Sequence, residues 1–265
     1  AKHPRIHSIP ALTCEALIEP LTGGWPEAFE NVRNGIRARM NFSEYSRPDL
    51  KWIDRAPIQH FTYVYGSEVC DYDAEDEHIV NIDRLLDAGE AFGGYDCVIL
   101  WHQYPRLGLD QRSQWVFFEE FPGGIPALKR VVERAHCRGV KVILPFKPWD
   151  RAPQDTDDDT TRAICRIIEQ TDIDGIFFDT MNTVPLSFRR AIDAVKSGVV
   201  FITECEIGTR EAIEGITSSW DQYWNDISMP ESTLSRFLFP EHRRHAIARW
   251  HMGAQKTENF LATER

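Results

Sequence analysis

Apolar runs and amphipathic stretches alternate along the chain from about residue 59 onward. Five short apolar, β-branched or aromatic runs predict β-strands, at 60–65, 95–101, 140–146, 175–179 and 199–204. The segments between them carry apolar residues at helical spacing, at 79–92, 125–138, 160–170 and 186–196. This alternation predicts right-handed βαβ units and a parallel sheet.

The predicted strands are nearly continuous apolar runs, which is typical of parallel strands covered on both faces. No GxGxxG or GxxxxGK[ST] motif follows a strand, so a dinucleotide or phosphate-loop fold is disfavoured. Polar and aromatic residues instead crowd the C-terminal ends of successive strands, as they do at the mouth of a barrel. We therefore predict an α/β fold of the (β/α)8 TIM-type barrel.

The alternation weakens after residue 206. A sixth strand is predicted around 216–220, a helix over 240–252, and a seventh strand beginning at 259–262. Since an eighth strand is not visible, we expect a barrel that is incomplete or irregular at its C-terminal end, or a chain that is part of a longer protein. Residues 1–55 are predicted to be an N-terminal extension that packs on a barrel domain formed by residues 56–265.

Composition and charge narrow the class of protein. The 265-residue chain is 42% hydrophobic and 27% charged, as expected of a globular protein. A formal net charge of −11 argues against a nucleic-acid partner, which would need a basic stripe. No run approaches the roughly 18 apolar residues of a membrane span, and no secretory signal is visible. Six cysteines without a CxxC pair favour a reducing, cytoplasmic location.

Carboxylates end two consecutive predicted strands. Asp179 follows the fourth strand, Glu204 ends the fifth, and Glu206 comes two residues later on the same side. Paired carboxylates are the groups that glycosidic cleavage requires. Structural roles stay open for each of them: a helix N-cap for Asp179, a surface position for Glu206, and for Glu204 an ion pair with Lys147 or Arg106.

Two short motifs carry a family resemblance. The segment DGIFFD at 174–179, followed by FITE at 201–204, resembles the fourth- and fifth-strand signature of the α-amylase superfamily. That resemblance implies a nucleophile at Asp179 and an acid/base at Glu204. The chain departs from the amylase pattern at Phe177, where that superfamily has an arginine.

A second resemblance points to a different acid/base. The α-galactosidase and α-glucosidase clan also has a fourth-strand aspartate as nucleophile, but its acid/base aspartate follows the sixth strand. That pattern implies Asp221, within the segment SSWDQYW at 218–224. The segment 101–150 also resembles uncharacterised bacterial barrel proteins that are related to glycosidases.

Aromatic and polar residues near the strand ends are candidates for binding a sugar, because aromatic rings stack on its C–H faces. The candidate substrate-binding residues are Trp101, His102, Arg106, Asp110, Lys147, Trp149, Asp150 and Trp220. Core packing and structural hydrogen bonds are the alternatives. His242 and His245 share one side of the predicted helix with two arginines between them, which favours a solvated basic face over a metal site.

Together these features predict a retaining glycoside hydrolase that acts on a carbohydrate with a carboxylate pair and needs no cofactor. Nucleic acid and membrane are not expected as partners. Two rival functions stay open. One is a metal-assisted hydrolase or lyase with Asp150, Asp179 and Glu204 as oxygen ligands. The other is a non-catalytic carbohydrate-binding barrel.

Overall fold

The computed structural model describes residue 18 and residues 20–74, 80–102, 104, 111–205, 213–222 and 236–245, with only the backbone of 221 and 222. The chain divides into two compact units, Ala1–Ala38 and Arg39–Arg265.

The described part of the first unit contains one helix, α1 (Trp25–Arg37), which has a proline in its first turn. Its large apolar side chains recur at helical spacing and are exposed: Trp25, Phe29, Val32 and Ile36. The domain boundary at residue 55, and the packing of the extension on the barrel, stay predictions.

The described residues of the second unit form one parallel sheet of seven strands in the order β1 to β7, and each strand pairs with the next along the chain. The strands are β1 (Gln59–Tyr63), β2 (Cys97–Trp101), β3 (Lys141–Phe146), β4 (Gly175–Phe178), β5 (Val200–Cys205), β6 (Ser218–Gln222) and β7 (Arg243–Arg244). The α-helices among these described residues are α2 (Asp83–Glu90), α3 (Val116–Glu119), α4 (Gly124–Cys137), α5 (Asp157–Thr171) and α6 (Leu186–Val195). Two 3-10 helices, Ser43–Ser46 and Pro48–Arg55, precede β1. The predicted strand–helix alternation and parallel sheet are confirmed, whereas the closed eight-stranded barrel stays a prediction.

Alternate residues of the strands belong to two separate apolar layers. One layer packs against the helices; the other includes Ile143, Phe177 and Ile202 and lies on the opposite, inner face of the sheet. Gly175 belongs to the inner face, where a Cβ would lie 2.8 Å from Val200 Cγ2. A side chain at this position would meet the Val200 and Ile143 side chains of the neighbouring strands, so a glycine fits there.

The sheet curves toward closure. The rings of Phe61 in β1 and Trp220 in β6 are 6.1 Å apart, although four strands separate their own strands in the sheet order. The His245 ring lies 3.1 Å from the Ala56 carbonyl oxygen, just before β1. The two edges of the sheet therefore approach one another, as in a barrel.

The predicted helix over 240–252 is wrong where the structure describes it, because residues 243–244 form β7. His242 and His245 are buried, each 2.9 Å from the hydroxyl of a serine in β6, and so do not form a solvated face. Burial lowers the pKa of His245 to about 4 and keeps the ring neutral. Tertiary hydrogen bonds override the local helical pattern here. The seventh strand predicted at 259–262 lies outside the described residues.

Two further findings concern the described residues only. None of their helices is long and apolar enough to cross a membrane. The described cysteines, at 70, 97, 137, 165 and 205, form no disulfide with one another.

Candidate active site

The structure brings Asp179 and Glu204 together at the C-terminal ends of β4 and β5. The strands pair in parallel, with Phe178 opposite Thr203, so the two carboxylates follow at equivalent positions. Both side chains lie on the inner face and are largely buried. Glu204 is near enough to Asp179 to raise the pKa of the Asp179 carboxyl group.

Asp179 has an unusual proton affinity. Burial raises the pKa of Asp179 to about 8, and its interactions with Glu204 act in the same direction. The charge of Lys147 and a hydrogen bond from Trp149 oppose this rise without cancelling it. Asp179 therefore holds its proton at neutral pH.

A strained residue orients Glu204. Thr180 has φ of 59°, in the left-handed region that a β-branched side chain rarely adopts. The conformation costs about 1–2 kcal/mol. It directs the Thr180 N–H at Glu204 Oε2, at 2.7 Å, so the carboxylate is held by a backbone donor from the neighbouring strand end.

A bulge in the sheet lies beside Glu204. Thr203 pairs with Ser219, but Cys205 pairs with Gln222, so two residues of β6 oppose the one residue of β5. Bulges of this kind redirect side chains and occur often beside active sites. The backbone of Asp221 lies within the bulge, but its side chain lies outside the described residues, as does the whole of Glu206.

A buried amine lies next to the pair. Lys147, which follows β3, is fully buried, and its Nζ donates to the carbonyl oxygen of His102 at 2.6 Å and lies 3.0 Å from His102 Nδ1. Two aromatic rings cover the same amine: the Tyr104 centroid is 4.0 Å away and the Trp101 centroid 4.8 Å.

Burial lowers the pKa of Lys147 to about 7, although the charges of Asp150 and Asp179 act against this. The amine therefore changes charge in nearly the same pH range as Asp179. Its contacts are with protein groups, so the predicted clamp on an anionic substrate stays a prediction.

Gln114 holds the backbone of Lys147 and was not predicted from the sequence. Its Nε2 donates to the Lys147 carbonyl oxygen at 2.9 Å, and its Oε1 accepts from the Lys147 N–H at 3.0 Å. The glutamine is fully buried although it lies in the loop after β2. No spacing or motif marks it, because its partner is 33 residues away in the chain.

The Trp149 residue reaches solvent, with 44% of it exposed. Its Nε1 donates to Asp179 Oδ2 at 3.2 Å. The ring stacks on Tyr104, with centroids 5.5 Å apart and planes within 19°. The indole is exposed and its Nε1 edge is hydrogen-bonded to a carboxylate, so it is well placed to contact a sugar next to that carboxylate.

The inner face below the carboxylates is aromatic. Phe177, at the position of the arginine in the amylase pattern, lies 4.2 Å from the Trp220 ring and 5.5 Å from the Trp101 ring. Trp101 is only 3% exposed, so its ring belongs mainly to this packing. At position 177, where the amylase pattern has an arginine, this chain therefore has a phenylalanine that packs against two tryptophan rings, and no fixed positive charge stands there.

The remaining candidates divide into two groups. His102 and Asp150 are fully buried beside Lys147, whereas Arg106 and Asp110 lie outside the described residues. Within the parts of the chain that the structure describes, no three His, Cys, Asp or Glu side chains form a group suited to a metal ion.

Comparison with known proteins supports the fold. No family model and no curated protein matches the chain. Among solved structures, an α-N-acetylgalactosaminidase from Bifidobacterium bifidum in complex with GalNAc is 11% identical, with a TM-score of 0.53, over 82% of this chain and 47% of that one. An α-amylase from Geobacillus thermoleovorans complexed with acarbose is 19% identical over 62% of this chain and 51% of that one, with a TM-score of 0.43.

The chain thus spans about half the length of these solved structures. At these identities the likeness concerns the fold alone, and for the amylase the TM-score is too low to carry an argument. At that level, the resemblance to glycoside-hydrolase barrels that the strand-end motifs predict is confirmed.

Proposed function

We propose that the protein is a retaining glycoside hydrolase that cleaves an O-glycosidic bond with Asp179 and Glu204. The observation that carries this proposal is the pair of buried, interacting carboxyl groups at neighbouring strand ends. Fold likeness to a glycosidase structure supports it but does not carry it, since one fold serves many functions.

Asp179 is the proposed nucleophile and Glu204 the proposed acid/base, with Asp221 and Glu206 as alternates for the second role. In the first step an Asp179 oxygen bonds to the anomeric carbon, the glycosidic C–O bond breaks, and Glu204 donates its proton to the leaving oxygen. In the second step Glu204 takes a proton from water, the water oxygen bonds to the anomeric carbon, and Asp179 is released.

The electrostatics of Asp179 bear on its role. A nucleophile must be ionised, whereas burial raises the pKa of Asp179 to about 8. The charge of Lys147 acts in the opposite direction and favours the ionised carboxylate, so the mechanism requires this effect to prevail when the substrate is bound.

A bound sugar would place its anomeric carbon between the two carboxyl groups, as the double displacement requires. The exposed Trp149 ring is the proposed stacking surface for that sugar, and the other candidate binding residues stay proposals around it.

A panel of aryl glycosides tests the proposal. We expect Asp179→Asn to lower kcat/KM by about 10⁴-fold or more, and Glu204→Gln by about 10²–10⁴-fold. Azide should rescue Glu204→Gln on activated substrates, because a small nucleophile needs no general base. A 5-fluoro glycosyl fluoride should label Asp179 covalently, as seen by peptide mass spectrometry.

Asp158→Asn is the matched control, since that aspartate is exposed in the first turn of α5. Undiminished turnover by Asp179→Asn would remove the nucleophile from the proposal. Activity that a chelator abolishes and a divalent ion restores would favour the metal-assisted rival.

A further inference from the structure

The Trp149 indole is held by two contacts, one at its edge and one on a face of its ring. On its edge, Nε1 donates to Asp179 Oδ2 at 3.2 Å. Behind it, the Tyr104 ring stacks nearly parallel to it, with centroids 5.5 Å apart. A solvent-exposed indole otherwise has several rotamers available, so these two contacts select the one that meets the carboxylate.

The Tyr104 ring is in turn fixed by the buried Lys147 amine. Lys147 Nζ lies 4.0 Å from the Tyr104 centroid, while the same Nζ is tied to the His102 carbonyl oxygen at 2.6 Å. The side-chain amide of Gln114 holds the Lys147 backbone through two hydrogen bonds. A rigid base of buried polar contacts therefore lies beneath the stack.

We propose that Tyr104 and Lys147 are positioning residues, which act through the Trp149 ring to aim its indole N–H at Asp179. The Lys147 amine, the Tyr104 ring and the Trp149 indole contact one another in that order, and the indole contacts Asp179; we call this series of contacts the column. The role in catalysis rests on the proposed function, whereas the alignment itself does not.

Several charged or titratable groups face this column. His102, Asp150 and Asp179 act on Lys147, and the charges of Asp179, Tyr63 and Glu204 act on Tyr104. The Lys147 charge attracts the π face of Tyr104 and also favours ionisation of Asp179. Replacing it with a neutral side chain of similar length should weaken both effects at once.

The alignment is testable without any substrate. The chain has eight tryptophans, and the indole ¹⁵N–¹H resonance of Trp149 is the one that disappears in Trp149→Phe. In the wild-type protein this resonance should move as Asp179 titrates, and the movement should vanish in Asp179→Asn. Because hydrogen bonds weaken steeply with angle and distance, Tyr104→Leu and Lys147→Met should reduce the movement by about threefold or more.

Tyr104→Phe is the matched variant, because it keeps the ring that stacks on Trp149 and covers Lys147. It should retain the wild-type movement. A full movement in Tyr104→Leu would overturn the inference. Lys147→Met keeps the buried volume, and if Tyr104→Leu fails to fold, a full movement in Lys147→Met overturns the inference in its place.

Kinetics separate this inference from the proposed function. If both hold, Tyr104→Leu should lower kcat on an aryl glycoside by about 10- to 100-fold, with a smaller change in KM, because a misplaced group costs reactivity more than binding. Loss of the resonance movement in a protein without glycosidase activity would leave the alignment standing and remove the proposed function. If the wild type is an active glycosidase and Tyr104→Leu keeps the full resonance movement, the proposed function stands and the alignment is overturned.

Discussion

Two aspartates lie at opposite ends of β4, and their carboxyl groups are in opposite states. Asp174 precedes the strand and Asp179 follows it, and both are almost fully buried, at 4% and 6% exposed. Burial alone raises the pKa of a carboxyl group. The difference between them therefore comes from their neighbours.

Asp174 is surrounded by donors. Its oxygens accept from Lys141 Nζ at 2.9 Å and from the Val142 N–H at 2.9 Å, and one lies 2.6 Å from His136 Nε2. Burial works against ionisation, but these hydrogen bonds outweigh it and lower the pKa of Asp174. The carboxylate is charged and joins β3, β4 and α4 at the N-terminal end of the strands.

Asp179 instead faces a second carboxyl group. Burial and Glu204 together raise its pKa to about 8, and one Trp149 N–H at 3.2 Å is too little to offset them. In barrel proteins the N-terminal ends of the strands serve stability and the C-terminal ends serve chemistry. Within one strand, the same residue type fulfils the stabilising role where donors surround it and the reactive role where they are few.

The largest expected effect is on the stability that Asp174 provides at the N-terminal end of β4. Asp174→Asn should lower the free energy of unfolding by about 2–4 kcal/mol, because it leaves Lys141 and a buried N–H with a weaker partner. Since the folded pKa of Asp174 is lowered, its stabilisation is present above about pH 4 and is lost as the pH falls through that folded value.

Urea unfolding at pH 7 and pH 3 would measure both features. The gap in free energy of unfolding between wild type and Asp174→Asn should be wider at pH 7 than at pH 3, with Asp158→Asn as the exposed control. A loss below about 1 kcal/mol at pH 7 would break the contrast, since it would make Asp174 no more stabilising than a surface charge.

The C-terminal ends of the strands also have a stabilising residue, Gln114. Gln114→Leu should cost about 1–3 kcal/mol, because the buried N–H and carbonyl of Lys147 lose their partners. Gln111→Leu is the matched control, as Gln111 is exposed in the same loop. Thermal unfolding of the two variants side by side would measure the difference. Equal melting temperatures would show that the buried amide contributes nothing.

Much of the fold was predictable from the sequence, because buried parallel strands are long apolar runs with little ambiguity. The pairing of Asp179 and Glu204 was predictable for the same reason, since parallel strands place their C-terminal ends at one edge. Gln114 and the left-handed Thr180 were not, as each is set by a contact distant in sequence. The two-residue strand β7 is too short to have a period, so the helical pattern around it was misleading.

The smallest expected effect is the pH dependence that Asp179 imposes on stability. Its folded pKa of about 8 lies above the ordinary value of 3.8, so between these values the folded protein holds a proton that the unfolded chain has released. The stabilisation is therefore full below about pH 4 and is lost as the pH rises toward 8. Asp179→Asn removes this dependence. Its free energy of unfolding should therefore rise relative to that of the wild type by about 1–2 kcal/mol between pH 5 and pH 8. This is a fraction of what the full pKa shift would give, because solvent partly screens charges at the C-terminal ends of the strands.

Lys147 acts in the opposite direction. Its pKa is lowered to about 7, so its contribution to stability rises with pH between about 7 and its unfolded value of 10.5. Urea unfolding of wild type and Asp179→Asn at pH 5, 6 and 7 therefore isolates the aspartate. A constant difference across those three pH values would mean that Asp179 is ionised throughout, like Asp174, and the contrast between the two ends of β4 would then fail at its upper end.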